Sequence, residues 1–101
     1  MITPKYELND IVIVEYNLSQ FKCKIIGFKI TEEYNIEKCL YFLVDFPIKE
    51  QYKFCKLFER EIHDWLNSQY IIDIQFVSDV YKYIGEPTCW VYENHIIQKV
   101  D

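Results

Sequence analysis

The side chains of this chain that could do chemistry are two histidines, four cysteines and scattered carboxylates. Catalysis needs a nucleophile with a base, a pair of carboxylates or a set of metal ligands. Glu59 and His63 lie one helical turn apart, a spacing that can hold a metal when a second motif completes the coordination sphere. No such motif follows, so a solvated helix face explains the pair better. The sequence also lacks a glycine-rich phosphate loop and a Gly-x-Ser-x-Gly elbow.

The cysteines give no zinc or redox signature, because they are far apart and none belongs to a Cys-x-x-Cys pair: Cys23, Cys39, Cys55 and Cys89. We expect four free thiols, packed mostly as small hydrophobic side chains in a reducing compartment. Cys89, beside Trp90, could be an activated thiol, but no sequence feature pairs it with His63 or His95. His95 is explained more simply as a turn residue than as a general base. We therefore predict a protein that is not an enzyme, with no catalytic residue, no metal and no cofactor.

Length and composition are those of one folded domain spanning residues 1–101, with 50% hydrophobic and 27% charged residues. The net charge of −5 is spread along the chain without a basic arm, which speaks against binding nucleic acid by phosphate neutralisation. The aromatic content of 18% fits either an AT-rich genome or an aromatic contact surface. No basic leader opens the chain, and no apolar run approaches the roughly 20 residues of a membrane span. We expect a soluble, cytoplasmic protein with no membrane partner.

The central segment of the chain is Glu37–Pro47, a short apolar run that ends at the turn residues Asp45 and Pro47. Such a run predicts a strand that is covered on both faces. Alternation predicts two earlier strands, Ile11–Tyr16 and Phe21–Thr31, and Gly27 predicts a bulge inside the second one.

A change of period follows this strand. Apolar residues recur at spacings of three and four over Gln51–Leu66, which predicts an amphipathic helix covering the sheet. Tyr70–Val77 fits a helix or a strand, and its Ile, Val and aromatic content favours a strand, with a helical turn from Ser78. Two last strands are predicted at Thr88–Glu93 and Ile96–Val100, joined by a tight turn.

The order of these segments resembles the small SH3-like (KOW/Tudor-style) barrels, many of them encoded by phages and mobile elements. The resemblance covers residues 8–46 and 88–100. It rests on the segments NDIVIV, KIIGF, LYFLVDF and WVYENHI. The family usually has glycine where Asn9 stands, and it lacks the long stretch from 48 to 87. The fold class that the resemblance implies is α+β, a small antiparallel SH3-like β-barrel with a partly helical insertion at 48–87.

The resemblance also implies a binding module without catalytic machinery. By matching position, Tyr16, Trp90 and Tyr92 are the candidate contact residues, with Asp45 and Glu93 as nearby acidic groups. An aromatic wall with carboxylates favours a cationic or amphipathic ligand. Trp90 and Tyr92 would be plain core residues in the competing interpretation.

Tyr41 completes the candidate set, because it shares a face of the organising strand with Leu43 and Cys39. If the helix leaves that face uncovered, it becomes a partner or homo-oligomer surface. The first functional hypothesis is a protein-binding module. The alternatives are a counter-defence inhibitor, which occludes a nuclease or CRISPR effector or sequesters a nucleotide signal, and a nucleic-acid-binding barrel. The last would use a strip formed by Lys22, Lys24 and Lys29.

Overall fold

The computed structural model describes residues 3–47, 54–55, 73–76 and 87–100. Strands dominate these residues. They are β1 (Ile11–Tyr16), β2 (Ser19–Glu33), β3 (Ile36–Asp45), β4 (Asp73–Phe76), β5 (Thr88–Tyr92) and β6 (Ile96–Val100). A 3-10 turn at Glu93–His95 joins β5 to β6. Five of the six strands coincide closely with predicted strands, and β4 lies within the predicted Tyr70–Val77 strand.

All pairings are antiparallel, and the strands follow the order β5-β3-β2-β1-β6, with β4 pairing separately against β2. The pairing of β1 with β6 brings the two ends of the described chain into one sheet. The strand path has two ends, because no pairing joins β5 to β6 among the described residues. The sheet is therefore open, and the predicted closed barrel is wrong.

The predicted α+β class, an SH3-like barrel with a long helical insertion at 48–87, is also wrong for the described chain. The described part of the insertion consists of a short 3-10 turn at 54–55 and strand β4. The described ranges contain no α-helix. The N–H groups of Phe54 and Cys55 bond the Asp45 carboxylate, and β4, which lies in the predicted strand and not in the predicted helix, pairs with Gly27–Ile30 of β2. The rest of the predicted helix Gln51–Leu66 and the turn from Ser78 lie outside the described residues.

A bulge divides β2 into two halves, as the position of Gly27 within the strand predicted. Ile25 pairs with Leu43 and Gly27 with Phe42, so Ile26 is the extra residue. Before the bulge the odd-numbered Phe21, Cys23 and Ile25 face the core cluster, and after it the even-numbered Phe28 and Ile30 do. The bulge therefore keeps an apolar face on the core along a strand that pairs first with β1 and then with β4.

The organising strand β3 is buried on both faces, which confirms the sequence prediction. Cys39, Tyr41 and Leu43 belong to the core cluster together with residues of β1, β2, β5 and β6. Phe42 and Val44 point to the opposite side and are also buried. The face that carries Tyr41 and Leu43 is thus covered within the chain and is not a free dimer surface.

Two hairpin turns have left-handed backbone at non-glycine residues. The β1–β2 turn has Asn17 and Leu18 at φ 49° and 66°, and the β2–β3 turn has Tyr34 and Asn35 at φ 51° and 63°. Positive φ at both central residues is the pattern of a type I′ turn, which matches the twist of paired strands. Leu18 and Tyr34 are each 95% exposed, so no packing in the chain accounts for their positions.

Candidate functional site

Trp90 and Tyr92 lie on the outer face of β5, the side that points away from the core cluster. Cys89 and Val91 belong to that cluster, so the alternating residues point outward. Both side chains are half-buried. The Trp90 ring packs on the buried Phe42 ring at a centroid distance of 4.9 Å and an interplanar angle of 33°. Trp90 and Tyr92 are therefore not members of the central core, and one ring is held by a cross-strand partner.

The chain's own cations lie over both rings. Lys29 Nζ is 5.0 Å from the centroid of Trp90, and Lys38 Nζ is 5.1 Å from that of Tyr92. Such distances allow a cation–π interaction. A cationic ligand of the kind expected from the sequence would have to displace these ammonium groups from the ring faces.

Glu33 connects to the same pair of side chains. The Tyr92 hydroxyl donates a hydrogen bond to Glu33 Oε1 at 2.7 Å, and Lys38 Nζ lies 3.2 Å from Glu33 Oε2. The hydrogen bond from Tyr92 and then the one from Lys38 hold the pKa of Glu33 below its usual 4.5. Glu33 is therefore ionised at neutral pH, and its negative charge is paired with the ammonium group of Lys38.

These side chains border a shallow cleft, which we call the β5 surface. It is lined by Lys29, Thr31, Glu33, Leu40, Trp90, Val91, Tyr92 and His95. A second hollow adjoins it and shares Tyr92 and His95, with Lys5, Glu37, Lys38 and Glu93 also on its wall. The β5 surface thus combines two aromatic rings with charges of both signs.

Tyr41 and Glu93, both predicted site residues, are joined by a hydrogen bond. Tyr41 is fully buried; its hydroxyl accepts from the Tyr6 N–H at 3.1 Å and donates to Glu93 Oε2 at 2.6 Å. Glu93 Oε2 also accepts from the Lys5 N–H at 3.2 Å. Burial, followed by the hydrogen bond to Glu93, raises the pKa of Tyr41 far above its usual value. Tyr41 therefore supports Glu93 and is not itself a surface contact.

The remaining predicted residues, Tyr16 and Asp45, belong to a separate group around the 54–55 turn. The Tyr16 ring meets the Phe54 ring edge-on at 6.0 Å. The buried Asp45 carboxylate accepts the Phe54 N–H at 2.7 Å and the Cys55 N–H at 3.2 Å. The structure thus joins Tyr41 to Glu93 on the core side of the sheet and places Trp90 and Tyr92 together on its outer face, with Tyr92 and Glu93 lining one hollow, whereas Tyr16 and Asp45 lie in the separate group around the 54–55 turn.

Asp45 also stands beside two buried thiols, and a third thiol adjoins one of them, an arrangement that the sequence analysis missed. The atoms of Cys23, Asp45 and Cys55 that could ligate a metal ion all lie within 4.8 Å of one another. Cys55 Sγ is 3.1 Å from Cys89 Sγ, and it also donates to the Leu43 carbonyl oxygen at 3.4 Å. Burial, followed by hydrogen bonding with the other two thiols, raises the pKa of Cys55 well above its usual value.

The fourth thiol, Cys39, lies apart from this cluster. All four cysteines are free and buried, as predicted. Burial, offset in part by a hydrogen bond with Tyr41, raises the pKa of Cys39 to about 11. Sequence spacing could not reveal the cluster, because strand pairing creates it: Cys23 is the register partner of Asp45, and Cys89 that of Leu43.

The lysine strip proposed from the sequence lies on one side of β2. Cys23 and Ile25 face the core, so Lys22 and Lys24 point away from it. The bulge changes the alternation, and Lys29 returns to the same side, over Trp90. The strip therefore runs into the β5 surface.

Comparison with protein-family models, with curated proteins and with solved structures finds no match for this chain. The resemblance stated from the sequence remains a prediction. Within the part of the chain that the structure describes, no helix has the length and apolar character needed to cross a bilayer.

Proposed function

We propose that this protein is a cytoplasmic, non-enzymatic binding module that engages a protein partner through the β5 surface. The observation that carries the proposal is the placement of Trp90 and Tyr92, two half-buried rings side by side on one strand face outside the central core. Four free buried thiols fit a reducing compartment.

Aromatic residues of this kind suit protein recognition. Trp and Tyr are enriched among residues that carry most of the binding energy of an interface, because they bury large areas at little entropic cost. The Trp90 ring is already oriented by Phe42, and the Tyr92 hydroxyl is fixed by Glu33. Partner binding would therefore order few additional side chains on the β5 surface.

The charges around the rings suggest the chemistry of the partner. Lys29 and Lys38 place two ammonium groups over the rings, while the carboxylate of Glu33 is held by Tyr92 and Lys38. A partner segment with apolar side chains flanked by Asp or Glu would pack beside the rings and place its carboxylates near these lysines, in addition to the contacts that the lysines already make. Paired charges of this type set orientation and association rate more than affinity.

The test compares partner capture by purified variants of the chain. Trp90→Ala removes the ring that packs on Phe42, and Leu18→Ala truncates a fully projecting apolar side chain at the distant β1–β2 turn. A partner recovered on immobilised wild-type chain and identified by mass spectrometry should bind Trp90→Ala at least about 30-fold more weakly, since a hot-spot residue contributes about 2 kcal/mol or more. Leu18→Ala should bind as wild type does. Equal binding by a Trp90→Ala chain with an unchanged circular dichroism spectrum would refute the assignment.

The lysine strip supports a second candidate, single-stranded nucleic acid. Lys22, Lys24 and Lys29 share one side of β2, beside the Trp90 ring, and bases stack on such rings while cations follow the backbone. This candidate predicts that binding to an oligonucleotide falls steeply with added salt and weakens on Lys24→Gln. Absent or salt-insensitive binding would dispose of it.

The counter-defence hypothesis is a special case of partner binding. Capture of a nuclease or CRISPR effector that depends on Trp90 would favour it over a general adaptor. Release of a nucleotide from the denatured protein would instead favour sequestration of a signal.

A further inference from the structure

We infer that Cys23, Asp45, Cys55 and Cys89 form a binding site for one thiophilic divalent cation of the zinc class. The inference is independent of the proposed function, because it concerns the core side of β5 and not its outer face. The possible ligand atoms of Cys23, Asp45 and Cys55 lie within 4.8 Å of one another, and Cys89 Sγ, outside that group, lies 3.1 Å from Cys55 Sγ.

The separations between the sulfur and oxygen atoms of this cluster can be compared with those of a tetrahedral zinc site. With Zn–S bonds of about 2.3 Å and Zn–O bonds of about 2.0 Å, two sulfurs lie about 3.8 Å apart and a sulfur and an oxygen about 3.5 Å apart. Cys23 Sγ is 4.0 Å from Asp45 Oδ1, and Cys55 Sγ is 3.1 Å from Cys89 Sγ. Binding would require the Cys55 and Cys89 thiols to move apart, and it would require Cys89 Sγ to approach the group that Cys23, Asp45 and Cys55 already form.

The ligand types and their support also suit this ion. Thiolate sulfur and carboxylate oxygen are both zinc ligands, and a set of four protein ligands makes a closed, structural site. The N–H groups of Phe54 and Cys55 fix the orientation of the Asp45 carboxylate, as outer-shell hydrogen bonds do for metal-bound carboxylates.

The consequence of binding would be structural. The four ligands come from β2, from the end of β3, from the 54–55 turn and from β5. A bound cation would fasten this turn to the sheet and brace β5, in which Cys89 directly precedes Trp90. Each coordinating thiol would bind as a thiolate and release its proton.

The experiment uses the full chain, purified with a reductant and freed of metal by a chelator. Zinc is added, and metal per chain and the thermal midpoint are measured; cobalt is added separately, and its thiolate charge-transfer absorption is recorded. We expect one metal per chain, a higher midpoint and an absorption intensity corresponding to three thiolates. Cys55→Ser should weaken binding by more than the roughly 10- to 100-fold that loss of an outer-shell partner costs. Cys39→Ser, which alters the buried thiol outside the cluster, should bind as wild type does.

Mapping of thiol alkylation by mass spectrometry keeps the test decisive if Cys55→Ser fails to fold. Zinc should slow alkylation of Cys23, Cys55 and Cys89 in the wild-type chain under partly denaturing conditions, with a smaller effect on Cys39. The inference is overturned if the reduced chain binds no stoichiometric metal. It is equally overturned if folded Cys55→Ser binds as wild type, or if the only chemistry found is a Cys55–Cys89 disulfide formed with a low-molecular-weight disulfide oxidant.

Discussion

The hydroxyl of Tyr41 lies 2.6 Å from Glu93 Oε2, so the centre of β3 is hydrogen-bonded to the turn that ends β5. The same hydroxyl accepts the Tyr6 N–H, which fastens the segment before β1 to this point. A buried tyrosine thus determines where a half-exposed carboxylate stands beside the β5 surface. One predicted site residue acts by positioning another.

Tyr41→Phe should lower the free energy of unfolding by about 1.5 to 3 kcal/mol, because hydrogen bonds to charged groups contribute about this much and the Tyr6 N–H also loses its acceptor. Urea unfolding followed by circular dichroism measures the change. Tyr92→Phe is the matched control, since the Tyr92 hydroxyl bonds Glu33 at the partly exposed surface and not in the core. Tyr92→Phe should lower the free energy of unfolding by less than Tyr41→Phe does. Equal decreases in the two variants would contradict the role given to Tyr41.

Asp45→Asn should lower the free energy of unfolding by about 1 to 3 kcal/mol. The amide supplies one acceptor where the carboxylate now accepts two backbone N–H groups, and a buried donor left unsatisfied costs about 1 to 3 kcal/mol. The measurement is made with a chelator present, so that any metal effect is removed. Asp10→Asn is the control, because Asp10 accepts the Glu7 N–H at 2.9 Å through one oxygen, and its other oxygen lies 3.4 Å from the half-exposed Lys99 ammonium. A smaller loss for Asp45→Asn than for Asp10→Asn would contradict the assignment.

Stability should depend on pH through Glu33. Its pKa in the folded state lies below the ordinary 4.5, so folding favours the ionised form. The stabilisation is complete above the ordinary value and is lost as the pH falls through the lowered one. A carboxyl NMR titration should find this lowered pKa in the wild type and a pKa closer to 4.5 in Tyr92→Phe. An unchanged pKa in Tyr92→Phe would show that the hydroxyl is not the main cause.

Leu18→Gly should raise the free energy of unfolding by about 0.5 to 1 kcal/mol, because glycine adopts the left-handed backbone of this turn at no steric cost. Thermal and urea unfolding measure the gain. Leu18→Ala retains a Cβ and should change stability little, since the side chain is exposed. A loss of stability in Leu18→Gly would instead mean that the leucine side chain contributes to the fold.

The strands could be read from the sequence because alternation and turn residues act locally. Ile11–Tyr16 and Ile96–Val100 match their predicted bounds, and the bulge lies at Gly27. The helical periodicity after Pro47 was a local signal of the same kind, but it carried no information about pairing. β4, which lies in the predicted strand Tyr70–Val77, pairs with the far half of β2, a partner that the sequence did not indicate.

The sequence alone determined which residues would be aromatic, acidic or thiol-bearing, and which strand would be buried on both faces. Only the tertiary structure decided which of them meet. Register on β3 places Trp90 beside Phe42 and Cys89 beside Leu43, and the alternation of β5 sends the ring outward and the thiol into the core. Contacts between residues so distant in sequence depend on which strands pair. Alternation sets the face that a residue takes on its strand, but it does not identify the strand that lies beside it.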